Sequence, residues 1–295
     1  MINHLKKMLT GFAAFALSVS AASAEVTVGG KNFTEQLLMA EMTTQLLEAN
    51  GFDVSKNDGM GSTVLRKAQV NGQIDVYWEY TGTSLITYNK GSAEGMTAAQ
   101  TIAEVRKLDK KQGLTWLNCS DANNTYALAV KEGRDGTADI ESLSDLAAAY
   151  NEGKELTMAV NAEFPHREDG LVGLEKEYEF RVPRSLRAPM DSGLTYSALN
   201  EGEADIALVF ATDGRIEAFD FRVLEDDKGF FPNYALCPVV RSDTLKDNPK
   251  LRGPLNRLAS KLDDDTMQRL NARVDVDKVE IRKVAQEFLK EQGLI

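Results

Sequence analysis

The chain runs to 295 residues and carries 45 acidic against 34 basic side chains, a formal net charge of −11 at pH 7. Nucleic acid and anionic lipid both demand a basic surface, so neither is expected as a partner. With two histidines and two cysteines, there is no zinc set of the usual spacing and little from which to build hydrolytic chemistry.

Residues 1–24 read as a secretory signal peptide. Lys6 and Lys7 precede an apolar run over residues 9–19, and Ala22-Ser23-Ala24 supplies the small residues of a cleavage site. The run is shorter than the roughly 20 residues a membrane-spanning helix needs. Cleavage after Ala24 and a periplasmic mature chain beginning at Glu25 are therefore expected. His4 leaves with the leader, so His166 is the one histidine of the mature chain. No G-x-S-x-G elbow accompanies it, and Phe164-Pro165-His166-Arg167-Glu168-Asp169-Gly170 reads as a polar loop with a solvated imidazole. No motif calls for a cofactor, and the chain reads as a binder rather than an enzyme. Cys119 and Cys237 are an even pair in an exported chain, which makes a disulfide the first expectation and two buried free thiols the alternative.

Taken in chain order, the periodicity alternates strand and helix, the mark of an α/β fold. Val26-Thr27-Val28 is a strand. Residues 35–50 form an amphipathic helix stopped by Gly51, with Asn32 as N-cap and Glu35 completing a capping-box variant, and residues 52–55 resume extended structure. The sequence then matches itself at an offset of 130 residues. Ser62 falls on Ser192, Ala68 on Ala198, Gly72 on Gly202, Asp75 on Asp205 and Tyr80 on Phe210, and Thr27 falls on Thr157. Both copies read as a helix opened by a serine cap and closed by glycine, then Asp, an apolar strand and an aromatic at its C-terminal end.

Two copies of one design imply two lobes facing across a cleft, because ligands of open α/β sheets lie beyond the C-terminal ends of the strands, where helix N-termini point. The walls should come from residues 32–36, 61–63 and 80–83 of one lobe and 191–193 and 210–213 of the other. Residues 123–130 and 231–240 pass from polar to strand on either side of the second copy and read as paired crossings, a two-segment hinge. The expected lobes are 25–126 with 235–295, and 127–234; the charged helical stretch from residue 243 onward should pack back on the first. Tyr77 and Trp78 alternate faces, so at least one is core, and neither is assigned to the site.

Five segments carry a resemblance to a known family: Gly30-Lys31-Asn32-Phe33-Thr34-Glu35-Gln36, Glu79-Tyr80-Thr81-Gly82-Thr83, Asn124-Thr125-Tyr126-Ala127, Thr212-Asp213-Gly214-Arg215 and Phe231-Pro232-Asn233-Tyr234. Over nearly the whole mature chain the sequence resembles the binding proteins of osmoprotectant ABC importers, which take up glycine betaine, choline, carnitine and related quaternary amines. The resemblance implies a two-lobed periplasmic-binding-protein fold, a monomer that delivers its ligand to membrane permease subunits, and a four-membered aromatic cage. By motif the cage falls on Tyr80, Tyr126, Phe210 and Tyr234, with Phe210 standing where tyrosine is common.

A quaternary ammonium has no N–H to donate, so ring faces must hold it, at roughly 0.5–2 kcal/mol per well-placed ring. A zwitterion also brings a carboxylate, which wants N–H, hydroxyl or amide donors. Gln36 and Thr63 at helix starts, with Thr83 and Asn124 nearby, are the candidates, each otherwise a cap or turn residue. Arg187 is a further candidate, better read as a surface charge. The alternative functions are a binder of another small zwitterion or amino-acid derivative, or a ligand-sensing lobe for a membrane receptor.

Overall fold

A computed structural model describes residues 25–295; the leader read over residues 1–24 and the cleavage expected after Ala24 lie outside the described residues. Among the described residues, ten strands form two five-stranded sheets. They are β1 (Val26–Lys31), β2 (Val54–Met60), β3 (Val76–Tyr80), β4 (Leu114–Trp116), β5 (Tyr126–Lys131), β6 (Met158–Asn161), β7 (Arg187–Met190), β8 (Ile206–Phe210), β9 (Phe221–Val223) and β10 (Leu236–Arg241). The first sheet has the order β2-β1-β3-β10-β4 and the second β7-β6-β8-β5-β9. In each, three parallel strands linked by helices are followed by one antiparallel strand, β10 against β3 and β5 against β8.

The 130-residue repeat is visible atom by atom. Asp75 Oδ2 accepts the backbone N–H of Thr27 (2.9 Å) while Asp75 N–H returns to Thr27 O (2.8 Å). Asp205 and Thr157 do the same at 2.8 and 2.9 Å. These aspartates tie the start of one parallel strand to its neighbour and are structural. Gly72 and Gly202 both follow their helices with φ near the left-handed region, +82° and +83°, a conformation that costs a side-chain-bearing residue about 1 kcal/mol or more.

Helix starts depart from the expectation. Phe33, not Asn32, is the N-cap of the helix Thr34–Ala49, and it makes no side-chain cap. Glu35 does not reach back, because its carboxylate is turned inward onto four other donors. The serine caps fail likewise: Gly61 precedes the helix Ser62–Val70, and Gly193 precedes Leu194–Glu201.

Between the sheet and the C-terminal helices, Thr34–Ala49 buries Leu38, Met39, Met42, Leu46 and Leu47 completely, each worth about 1.5–3 kcal/mol relative to exposure. Helices Asp264–Asp275 and Ile281–Glu291 cover its outer side, and Leu251 and Leu255 join Val26, Val28 and Leu47 in one cluster. The C-terminal stretch thus packs on the first sheet. The chain passes between sheets twice, and the passages lie side by side. Asn123 bridges to Ala235, Asn124 N–H donates to Tyr234 O (3.3 Å), Leu236 N–H to Ala122 O (3.2 Å), and Tyr234 N–H to Asn123 Oδ1 (2.7 Å). Cys119 and Cys237 are joined by a disulfide beside these passages.

Candidate functional site

The cleft lies where the C-terminal ends of the parallel strands of both sheets face each other. Strand pairing fixes the aromatic residues there. Tyr126 at the start of β5 is directly opposite Phe210 at the end of β8, and Tyr234 stands two residues before Leu236, which is opposite Tyr80 at the end of β3. Tyr126 lies 5.4 Å from Phe210 and 5.6 Å from Tyr234, centroid to centroid. Phe33 links the group to the first sheet, stacked 5.3 Å from Phe210 and 6.3 Å from Tyr80. All five rings line one cavity of about 150 Å³. Gly82 allows the closest approach: a Cβ there would meet the Tyr234 ring at 2.8 Å, so the glycine of Glu79-Tyr80-Thr81-Gly82-Thr83 is required by the ring behind it.

Buried ion pairs hold the rings. Tyr234 donates to Asp169 Oδ2 (2.8 Å), and Asp169 is gripped by Arg167 through Nε (2.8 Å) and Nη2 (2.5 Å). The Arg167 guanidinium sits 5.4 Å from the Tyr126 ring centroid. Lys31 pairs with Glu79 at 2.5 Å and lies 4.8 Å from the Tyr80 ring. Burial pushes the Tyr126 phenol up to about 12. It also raises Tyr80 and Tyr234 well above the ordinary range, with help from Glu35 and Asp169 respectively, so all three stay neutral and present uncharged faces.

Behind Tyr80 is Glu35, a carboxylate buried without an ion-pair partner. Oε1 accepts from the Tyr80 hydroxyl (2.7 Å) and Asn124 Nδ2 (2.8 Å). Oε2 accepts from the Thr212 hydroxyl (2.5 Å) and Asn271 Nδ2 (3.2 Å). Burial raises its pKa above 4.5 against the opposing pull of these hydrogen bonds.

The polar candidates divide. Thr83 and Asn124 line the cavity; Thr83 Oγ1 accepts from Arg167 Nη2 (3.3 Å), and Asn124 spends its amide N–H groups on Glu35 and the Tyr80 hydroxyl. Gln36 is outside the cavity, its amide donating to Trp78 O (2.9 Å) and accepting from Lys31 N–H (3.4 Å), so it ties strand ends together. Thr63 is exposed on the outer side of the lobe, because the helix begins with Gly61 as its cap and turns residue 63 away. Arg187 is bonded to Glu175 and Val182 O, apart from the cleft. His166 is exposed in a 3₁₀ turn over Phe164–His166. Tyr77 and Trp78 are both fully buried.

The sequence placed Phe33 and Glu35 on the wall at residues 32–36 without giving either a role in the site, and it missed Glu163, Arg167 and Asp169. For Glu163 the signal was present: adding the repeat offset to the wall at residues 32–36 gives 162–166, the segment that follows β6, whereas Arg167 and Asp169 lie beyond it.

This arrangement has ring faces from both sheets, buried carboxylates and every nearby cation already paired, which suits an organic cation. The model of the substrate-binding domain of ABC-type glycine betaine transport systems matches residues 24–291. A glycine-betaine-binding protein of Pseudomonas aeruginosa is 41% identical over 301 residues, covering 100% of this chain and 96% of that protein. The solved structure of apo YehZ from Escherichia coli is similar with a TM-score of 0.65 at 32% identity, covering 92% of this chain and all of the other. A glycine betaine/carnitine/choline ABC transporter structure reaches a TM-score of 0.71 at 32% identity, covering 91% and 99%. The chain belongs to the family of substrate-binding domains of ABC-type glycine betaine transport systems, and its two sheets are the two lobes of that family's periplasmic-binding-protein fold.

Proposed function

We propose that this protein captures a quaternary amine between its lobes and delivers it, as a monomer, to the permease subunits of an ABC importer. The observation that carries the reading is the convergence of Tyr80, Tyr126, Phe210 and Tyr234 on one cavity, from strand ends of both sheets and from both passages between them. A trimethylammonium group offers no N–H donor, and neutral ring faces attract it through field and contact area alone. Phe33 contributes a fifth ring. The leader is read as removed after Ala24, releasing the mature chain into the periplasm. The lobes are residues 25–126 with 235–295, and 127–234, and the paired passages are the hinge about which they close.

Ligand binding raises stability by RT ln(1 + [L]/Kd). In a thermal-shift series with choline, glycine betaine, carnitine and standard amino acids, a quaternary amine is expected to raise the melting temperature in a concentration-dependent way, and the amino acids to leave it unchanged. A series in which no quaternary amine moves the midpoint at millimolar concentration removes the proposal.

A further inference from the structure

The helix Ser62–Val70 points its N-terminus into the cleft, with Gly61 on the cavity wall. Free backbone N–H groups at such an end are where the carboxylate of a zwitterion would be received. In this protein the position is filled from the opposite lobe. Ser62 N–H donates to Glu163 Oε1 at 2.8 Å, and Glu163 Oε2 is steadied by Arg167 Nη1 at 3.5 Å. We propose that Glu163 is a specificity-determining residue. By placing the protein's own carboxylate on this helix end, it makes the site select net cationic quaternary amines bearing a hydroxyl over zwitterions. The inference rests on the quaternary-amine reading above.

Two independent observations point the same way. Around the cavity, Lys31 is matched by Glu79 and Arg167 by Asp169, which leaves Glu163, 3.5 Å from the already matched Arg167, as the carboxylate in excess. A ligand with a net positive charge balances this wall, and a ligand carboxylate adds to its negative charge. The second is Asn124. Its Nδ2 must face Glu35, since a carboxylate only accepts, and this fixes Oδ1 as a buried acceptor with no hydrogen-bond partner. Asn124 is 5% exposed and lines the cavity. Oδ1 is itself covered, and a small shift of the Asn124 side chain brings it to a ligand that donates: the hydroxyl of an amino alcohol does, and betaine has no donor at all.

Calorimetry with choline and glycine betaine on the wild type, Glu163→Gln and Glu163→Ala tests this directly. The wild type is expected to bind choline at least tenfold more tightly than betaine. Both variants are expected to narrow that ratio at least tenfold, chiefly by tightening betaine, and ethyltrimethylammonium, which lacks the hydroxyl, to bind the wild type about tenfold more weakly than choline. The Glu163 side chain is 34% exposed, so both variants are expected to fold, and their melting curves check this. Betaine binding as tightly as choline to the wild type, or a ratio unchanged in folded variants, overturns the role of Glu163 and leaves the quaternary-amine site standing. Equal affinity for ethyltrimethylammonium and choline overturns the hydroxyl preference. A wild type that binds none of the three overturns both this inference and the proposed function.

Discussion

Tyr126 has more aromatic neighbours than any other ring of the cavity, with Phe164, Phe210 and Tyr234 all within 5.6 Å of its centroid. If the rings hold a cationic head, Tyr126→Ala is expected to weaken binding by about 1–3 kcal/mol, through lost cation–π attraction and lost contact area. Tyr126→Phe keeps the face and is expected to cost far less. Tyr234 differs, because its hydroxyl donates to the buried Asp169 carboxylate at 2.8 Å. Tyr234→Phe therefore leaves affinity near wild type but lowers folding stability by roughly 1–3 kcal/mol, the cost of depriving a buried charged group of a donor. Ordinary packing predicts another pattern, in which alanine variants melt earlier and the folded fraction binds as before. Calorimetry and melting on the same variants separate the two, and unchanged affinity in folded Tyr126→Ala removes the cage.

At the scale of elements, the paired passages are tied by the disulfide between Cys119 and Cys237, which are 118 residues apart in sequence. Closing so long a loop restricts the unfolded chain, and reduction is expected to lower stability by about 2–4 kcal/mol. Alkylation without reductant should label no thiol; two labelled thiols in freshly exported protein would remove the bond from the account. The repeat was legible because the same local constraint recurs: Asp75 and Asp205 each close one strand start, and Gly72 and Gly202 each end one helix. Tyr80 and Phe210 could be placed from strand ends alone. The helix caps were not legible, because the residues suited to local capping are used at long range. Glu35 serves Thr212 and Asn271 instead of its own helix, and the N-terminus at Ser62 is served by Glu163, 101 residues away. A cap supplied by the other lobe leaves no local spacing to read, and for the same reason Thr63 and Gln36 were assigned to a wall they do not form.

For the whole molecule, the rings meet across the cavity, with Phe33 stacked on Phe210, and polar contacts between the lobes stand on both sides of it. On one side Ser62 N–H meets Glu163 and Thr83 meets Arg167. On the other, Thr212 meets Glu35, Arg215 meets Asp275 at 3.2 Å, and Asn271 Nδ2 donates to Thr212 O at 2.9 Å. Hydrogen bonds of this kind contribute only about 0.5–1.5 kcal/mol each net of water, and those to charged groups about 1.5–3, so they guide closure without locking it. A ligand that touches rings from both lobes binds the closed form better than the open one and shifts the population by that difference. Small-angle scattering is therefore expected to report a smaller radius of gyration on saturation with a ligand proven by calorimetry. Thr212→Ala removes a lobe-to-lobe bond outside the ring cluster, so its ligand-free curve should lie further toward the open form while saturation still contracts it. Curves that superimpose with and without a proven ligand would leave the aromatic site intact but eliminate the two passages as a hinge, because a cleft whose walls already stand at binding distance has no closure left to perform.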